Sequence, residues 1–271
     1  DKDAPNGGGD ARLTLEPPCT GPGHPELLEL RPIRFASLNC NGVGGKTHHI
    51  EAALGDLDLD FMFLSETWTA PGRLNRLFSG NLALCSEYPR SNNGHHPYGQ
   101  AIVFNPAKTS AGNFEPLLVD HAAHTLSFRY AGIRFVCQYL PPSKPGDWAL
   151  EKLEKLTEVL LCDEPCVMRG DLNARSTAYD DTVTNRYGTC LTQFCDEHDL
   201  HRLAPTTGRW TFHRDDSQSV IDHIILNQLS IARRPEAHVL EQRFMGVTDH
   251  SLLVGELLAV PTHITQAPRA P

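Results

Sequence analysis

Six short apolar runs in this chain begin or end at a residue able to bind a metal ion, hold a phosphate or move a proton. Asn39 and Asn41 follow Ile33 to Leu38, Glu66 follows Phe61 to Ser65, and Tyr139 closes Ile133 to Leu140. Asp171 and Asn173 follow Pro165 to Met168, Asp222 interrupts Val220 to Leu226, and Asp249-His250 precede Ser251 to Leu258. Strands of this length, alternating with helical patterns, bury their apolar faces in stacked layers. Reactive residues at so many strand ends therefore imply one shared rim, where side chains distant along the chain converge.

Two clusters carry the chemistry. Thr248-Asp249-His250 sets a carboxylate beside an imidazole, a metal ligand next to a proton carrier. Arg169-Gly170-Asp171-Leu172-Asn173 offers a second carboxylate beside a neutral amide. Together they form the equipment for hydrolysing a phosphate ester. A formal charge of −9 argues against a polyanionic partner. A divalent cation would neutralise part of that acidity, and the basic residues are mostly Arg, the better bidentate phosphate ligand.

With 271 residues, 40% of them hydrophobic, the chain can bury one large α/β domain, expected over residues 31–260. Residues 1–30 and 261–271 are dense in Gly, Pro and polar types and read as disordered linkers. The start, Asp1-Lys2-Asp3, has no initiator Met or leader and suggests a module excised from something longer. No apolar run is long enough for a membrane span. Eight cysteines in a chain this long do not form a disulfide framework, and a reducing compartment is the simpler reading. Cys190, Cys195, His198 and His201 match no usual zinc spacing and are expected to pack as an ordinary helix.

Periodicity predicts helices over Lys46 to Leu57, Asp147 to Leu161 (with Asp147 as N-cap) and Gly188 to His198. It also predicts strands at Gln100 to Phe104 and Ala237 to Phe244, and a hairpin turning at Ala131-Gly132. The stretch from Tyr88 to Gly99 reads as a loop.

Seven segments in order, Ser37-Leu38-Asn39-Cys40-Asn41-Gly42, Leu64-Ser65-Glu66-Thr67-Trp68, Gln138-Tyr139-Leu140-Pro141-Pro142, Gly170-Asp171-Leu172-Asn173, Thr211-Phe212, Ser219-Val220-Ile221-Asp222-His223-Ile224 and Thr248-Asp249-His250, resemble the endonuclease/exonuclease/phosphatase superfamily. The resemblance spans Ile33 to Leu258 and implies an α/β fold, a four-layer sandwich of two mixed β-sheets flanked by helices, as in deoxyribonuclease I. Tyr139-Leu140-Pro141-Pro142, the Asn185-x-x-Gly188-x-x-Leu191-x-x-Phe194 pattern and Ile221-Asp222-His223-Ile224 are most similar to the apurinic-type endonuclease domains of non-LTR (LINE-type) retrotransposons. Such domains nick DNA to a 5′ phosphate and a 3′ hydroxyl that primes reverse transcription. The resemblance thus implies DNA as partner, a polyprotein with reverse transcriptase, an intracellular site of action in the nucleus, and Mg²⁺ as cofactor with Mn²⁺ as a substitute.

It also assigns roles. Glu66 would be the principal Mg²⁺ ligand, with Asn39 and Asp249 adding metal or phosphate contacts and Asn41 standing behind them. His250 would act on the attacking water, as base or as cation, with Asp222 orienting its ring. Asp171 would position or deprotonate the nucleophile while Asn173, facing the same way along extended backbone, donates to the phosphate. Tyr139 would bring a hydroxyl near the leaving oxygen, Thr211 and Thr248 would contact substrate, and Arg169, sharing strand parity with Asp171, would reach a phosphate. The turn from His213 to Gln218 is short and doubly acidic, which makes it a poor reader of a DNA groove. Pro142 stands where repair-type relatives carry Asn and counts against abasic-site repair. The rival readings are an RNA nuclease or small-molecule phosphatase on the same fold, or an inactive binding module.

Overall fold

The computed structural model describes residues 31–259, apart from 79, 87–97 and 121. The segments read as linkers, and most of the loop read at Tyr88 to Gly99, lie outside the described residues.

The first sheet contains β1 (Arg31–Asn39), β2 (Phe61–Ser65), β3 (Leu82–Cys85), β4 (Gln100–Phe104), β13 (Glu236–Leu240) and β14 (Leu252–Ala259), in the order β13-β14-β1-β2-β4-β3. The second contains β5 (Glu115–Asp120), β6 (Thr125–Tyr130), β7 (Ile133–Gln138), β8 (Cys166–Asp171), β9 (His201–Arg202) and β12 (Asp222–Leu226), in the order β5-β6-β7-β8-β12-β9. A separate hairpin pairs β10 (Phe212–Arg214) with β11 (Ser217–Ser219). Each large sheet is mixed, with β1 parallel to β2 in one and β7 parallel to β8 in the other.

Alternation along the strands builds three apolar layers. Ile33 and Phe35 of β1 point between the sheets, where Phe61, Phe63, Phe128, Phe135 and Ile224 meet them. Ala36 and Leu38 point the other way, under Ile50, Ala53 and Leu54 of α1 (Thr47–Asp56) and Leu74 of α2 (Pro71–Leu77). The outer face of the second sheet is covered by α3 (Gly146–Glu154), α4 (Thr157–Leu160) and α5 (Arg186–Glu197), through Ala149, Leu153, Leu160, Leu191 and Phe194. The result is the four-layer sandwich expected, held by faces that would otherwise leave apolar area in water.

The hairpin expected at Ala131-Gly132 forms, with both residues at positive φ (50° and 74°), as the tight turn between twisted strands requires. Two helical expectations need correction. Asp147 is not an N-cap: Pro145 holds that position without a side-chain bond, and Asp147 in the first turn pairs with Arg186. The helix expected from Asp147 to Leu161 is two pieces, because the Leu156 N–H turns back to the Leu153 carbonyl and tightens the chain between them. The strand expected from Ala237 to Phe244 stops at Leu240, where the chain turns.

Candidate active site

Strand register brings the reactive residues to one end of the sandwich. Asp171 ends β8, Asp222 begins β12, and antiparallel pairing sets them opposite each other. Asn39 pairs with Ser65, so Glu66 emerges beside the chain that leaves β1. A bridge between Phe212 and His250 brings in the last strand. Asn39, Asn41, Glu66, Asp171, Asn173, Asp249 and His250 line one cavity of about 490 Å³.

His250 is the hinge of the charge arrangement. Its Nδ1 lies 2.9 Å from Asp222 Oδ2, and its Nε2 faces Asp171 Oδ2 at 3.8 Å. Burial works against a charged ring, but Asp222, then Asp171 and Asp249, outweigh it and raise the pKa to about 9. Asp171 is raised to about 7, first by burial and then by the Asp222 carboxylate. Its Oδ2 accepts from Asn39 Nδ2 (2.9 Å) and its Oδ1 from the Asn173 N–H (3.0 Å), so it is aimed as well as perturbed.

Thr211, expected to contact substrate, lies inside the protein rather than on the cavity wall. It is fully buried, and its Oγ1 accepts the N–H groups of Ile221 (2.9 Å) and Asp222 (3.0 Å), fixing the start of β12. Thr248 is likewise turned inward, donating to the Asn39 carbonyl at 2.9 Å, so the phosphate bond expected of it is already spent. Tyr139 is buried, and its hydroxyl donates to Glu66 Oε1. Burial, with Asp171 and Glu66 nearby, pushes that hydroxyl's pKa upward, so it keeps its proton, which here is hydrogen-bonded to Glu66.

A divalent cation fits the other side of the cavity. Glu66, Asp249 and the Asn39 and Asn41 amides are hard oxygen donors, the set that Mg²⁺ selects. Among the described residues no Lys or Arg pairs with Glu66; Asp249 faces Arg214 at 3.6 Å and accepts weakly from Asn41 Nδ2 and Thr248 Oγ1, each at 3.4 Å. Asp171, Asp222 and His250 also cluster closely enough to hold an ion. The acidic neighbours of His250 favour its protonated ring, which is a poor ligand, so Glu66 is the better-placed donor for the cation.

Asn173 corrects the expected backbone. It sits at φ 48° rather than extended, and its Nδ2 donates to the Leu140 carbonyl at 3.0 Å. Asn185 supports that turn: its Nδ2 donates to the Asn173 carbonyl (2.8 Å), while its Oδ1 accepts from the N–H groups of Arg175 (3.1 Å) and Gly188 (2.7 Å). A Cβ at Gly188 would lie 1.7 Å from the Arg175 carbonyl oxygen, so only glycine lets α5 approach. The Asn185-x-x-Gly188 spacing is thus a clamp on the Asp171 turn.

Arg169 is the largest correction. It does share a face with Asp171, but that face is the interior: the side chain is fully buried, its Cζ 4.9 Å and 4.8 Å from the Phe35 and Phe61 ring centres. It donates to the Ala36 carbonyl, and burial pushes its pKa down. Cation–π contacts, not a phosphate, hold the guanidinium. An Arg169→Met protein, compared per folded molecule, is expected to turn over within about twofold of the parent; a loss beyond about tenfold would return Arg169 to the phosphate.

Trp68, Pro142 and Phe212, which lie inside the motif segments, also line the cavity, as do Arg175, Tyr187 and Arg214, for which no role was read from the sequence. Arg214 lies on the hairpin whose turn was read as acidic. Arg73 and Arg76 lie on the exposed face of α2, while Arg90, His95 and His96 lie outside the described residues. Cys190 donates to the Gly146 carbonyl (3.7 Å), Cys195 is buried, and among the described residues the metal-capable groups contain no cysteine.

Residues 133–254 match the family described as endonuclease-reverse transcriptase. The endonuclease domain of TRAS1, a telomere-specific non-LTR retrotransposon, is similar in structure with TM-score 0.63 at 18% identity, covering 86% of this chain and all (100%) of that one. An AP endonuclease from Leishmania major gives TM-score 0.64 at 11% identity, covering 84% and 88% of the two chains. An AP endonuclease from Archaeoglobus fulgidus gives 0.61 at 18% identity, covering 82% and 98%. No curated protein sequence matches the chain.

Proposed function

We propose that this chain, which has the fold of the endonuclease/exonuclease/phosphatase superfamily and matches its endonuclease-reverse transcriptase family over residues 133–254, is a Mg²⁺-dependent DNA-nicking endonuclease of a non-LTR retrotransposon. It cuts one strand to a 5′ phosphate and a 3′ hydroxyl that primes reverse transcription, working in the nucleus beside a reverse transcriptase of the same polyprotein. The observation that carries this reading is the meeting of Glu66 with Asp171 and His250 in one cavity, with Asp222 bonded to the His250 ring behind them.

Glu66 would hold Mg²⁺ with Asp249 and Asn39 beside it, and the ion would supply positive charge to the phosphate and its leaving oxygen. The proton roles divide by charge state. Asp222 and Asp171 hold His250 toward the imidazolium, with a pKa raised to about 9, so we assign it to donate to a phosphate oxygen and give the base role to Asp171. Asp171, raised to about 7, is basic enough to take a proton from water near neutrality, and Asn39 keeps its Oδ2 aimed into the cavity. Asn173 retains one amide hydrogen beyond its bond to Leu140 for a non-bridging oxygen.

Supercoiled plasmid, RNA and a soluble phosphomonoester, each incubated with Mg²⁺ and with EDTA, separate this reading from its rivals. Nicked circles with ligatable 3′ hydroxyls, formed only with Mg²⁺, are the expected result. Faster cleavage of RNA, or phosphate release alone, would assign the site to those substrates, and an inert protein would make the fold a scaffold.

A further inference from the structure

Trp68 stands two residues beyond Glu66 on the cavity wall, and the mechanism makes no use of it. Among the described residues lining the cavity it is the only large apolar side chain left exposed, at 50%. An indole that folding could have buried is instead held outward, and its backbone is held with it. Glu66 and Trp68 both sit at positive φ (52° and 49°), a costly conformation for bulky residues. Four main-chain bonds impose it: Gly42 N–H to Glu66 (2.8 Å), Val43 N–H to Thr67 (3.1 Å), Thr67 N–H to Gly99 (3.1 Å) and Trp68 N–H to Tyr98 (3.0 Å). Beneath the ring lies Gly42, at φ +82°, where a Cβ would come within 3.1 Å of the indole Cε3. The six-membered half of the indole therefore rests on bare backbone next to Asn41, on the wall of the cavity.

A rigid, supported aromatic ring beside a phosphate site is a surface for a nucleobase, because every base presents an apolar π-face of similar size. A base inside a duplex has both faces covered by its neighbours, so only a base drawn out of the stack can use the ring. We propose that Trp68 is a stacking platform for an unstacked nucleobase flanking the scissile phosphate. The enzyme then selects cleavage positions by how easily the neighbouring base leaves the helix. This inference rests on the nuclease reading and names a substrate feature for it: DNA that is locally open at the cut.

Binding in EDTA tests the platform without requiring catalysis. The probes are a fully paired DNA duplex and the same duplex with two central unpaired bases, titrated against the parent, Trp68→Ala and Trp68→Phe proteins. The parent is expected to bind the open duplex about tenfold more tightly than the paired one, Trp68→Ala to bind both alike, and Trp68→Phe to keep most of the preference. In Mg²⁺, Trp68→Ala should raise KM for the open duplex about tenfold while kcat stays within about twofold. A parent without the preference, or a Trp68→Ala protein that retains it, overturns the proposal. If the parent nicks plasmid but shows no preference, the platform fails and the nuclease stands; a Trp68-dependent preference in a protein that never nicks gives the reverse.

Discussion

A Glu66→Gln protein is expected to fold and bind DNA as the parent does and to nick supercoiled plasmid in Mg²⁺ at least about a thousandfold more slowly. The substitution keeps the shape of the side chain, and the Gln carbonyl can still accept the hydroxyl of Tyr139 that now anchors Oε1. The backbone bond from Gly42 N–H to the residue 66 carbonyl, 2.8 Å, is untouched. What disappears is the full negative charge on a carboxylate of the mouth that, among the described residues, no Lys or Arg offsets. Asp249 cannot replace it, because Arg214 and Asn41 already share its oxygens. An equal melting temperature and equal duplex affinity in EDTA, together with lost nicking, would locate the defect in the chemical step. Nicking within about tenfold of the parent would remove Glu66 from the metal site and with it the basis for calling the cavity catalytic. Tyr139→Phe should show the milder loss, about tenfold, of a partner that only steadies the ligand.

The parts of this site that were legible are those in which chemistry and strand position coincide. Glu66, Asp171, Asp222 and His250 each lie at a strand boundary, and such a boundary can only be at an end of a sheet, so their convergence follows once the sheets stack. Direction within the end was not legible. Arg169 and Asp171 share parity, yet one step of two residues along β8 separates the packed interior from the mouth. Alternation reports a face, not a depth. Hydroxyls misled for a similar reason: Thr211, Thr248 and Tyr139 lie beside the site, but each is spent on the protein, on Asp222 and Ile221, on Asn39 and on Glu66. Trp68, Arg175 and Arg214 reach the cavity through loop and hairpin geometry, which leaves no period in the sequence. β5 escaped because its residues from Glu115 to Val119 are all exposed, so no buried face imprints an alternation.

Replacing Asp222 by Asn should shift the whole pH profile of nicking toward acid and lower the rate at neutral pH by about a hundredfold or more. In the parent, activity requires Asp171 ionised and His250 protonated, so it rises through about pH 7 and falls through about pH 9. The Asp222 carboxylate acts on both limbs in the same direction. After burial, which opposes the charged ring, it is the largest influence on His250 and the one that holds the pKa up. It is also the second cause, after burial, that raises Asp171. Removing its charge lets both groups lose their protons at lower pH. The imidazolium is then scarce at pH 8, where the parent is most active, and what activity remains should peak at least about one pH unit lower. Stability carries the same signature. A histidine whose pKa rises from 6.5 to about 9 on folding contributes stability that is complete below pH 6.5 and lost as pH rises through 9, on the order of 3 kcal/mol for this group taken alone. Between pH 6 and pH 9.5 the parent should therefore lose more melting temperature than Asp222→Asn does. A variant with the parental optimum and only a uniform loss of rate would show that Asp222 orients the ring of His250 without setting its charge, and the cation role assigned to His250 would fall.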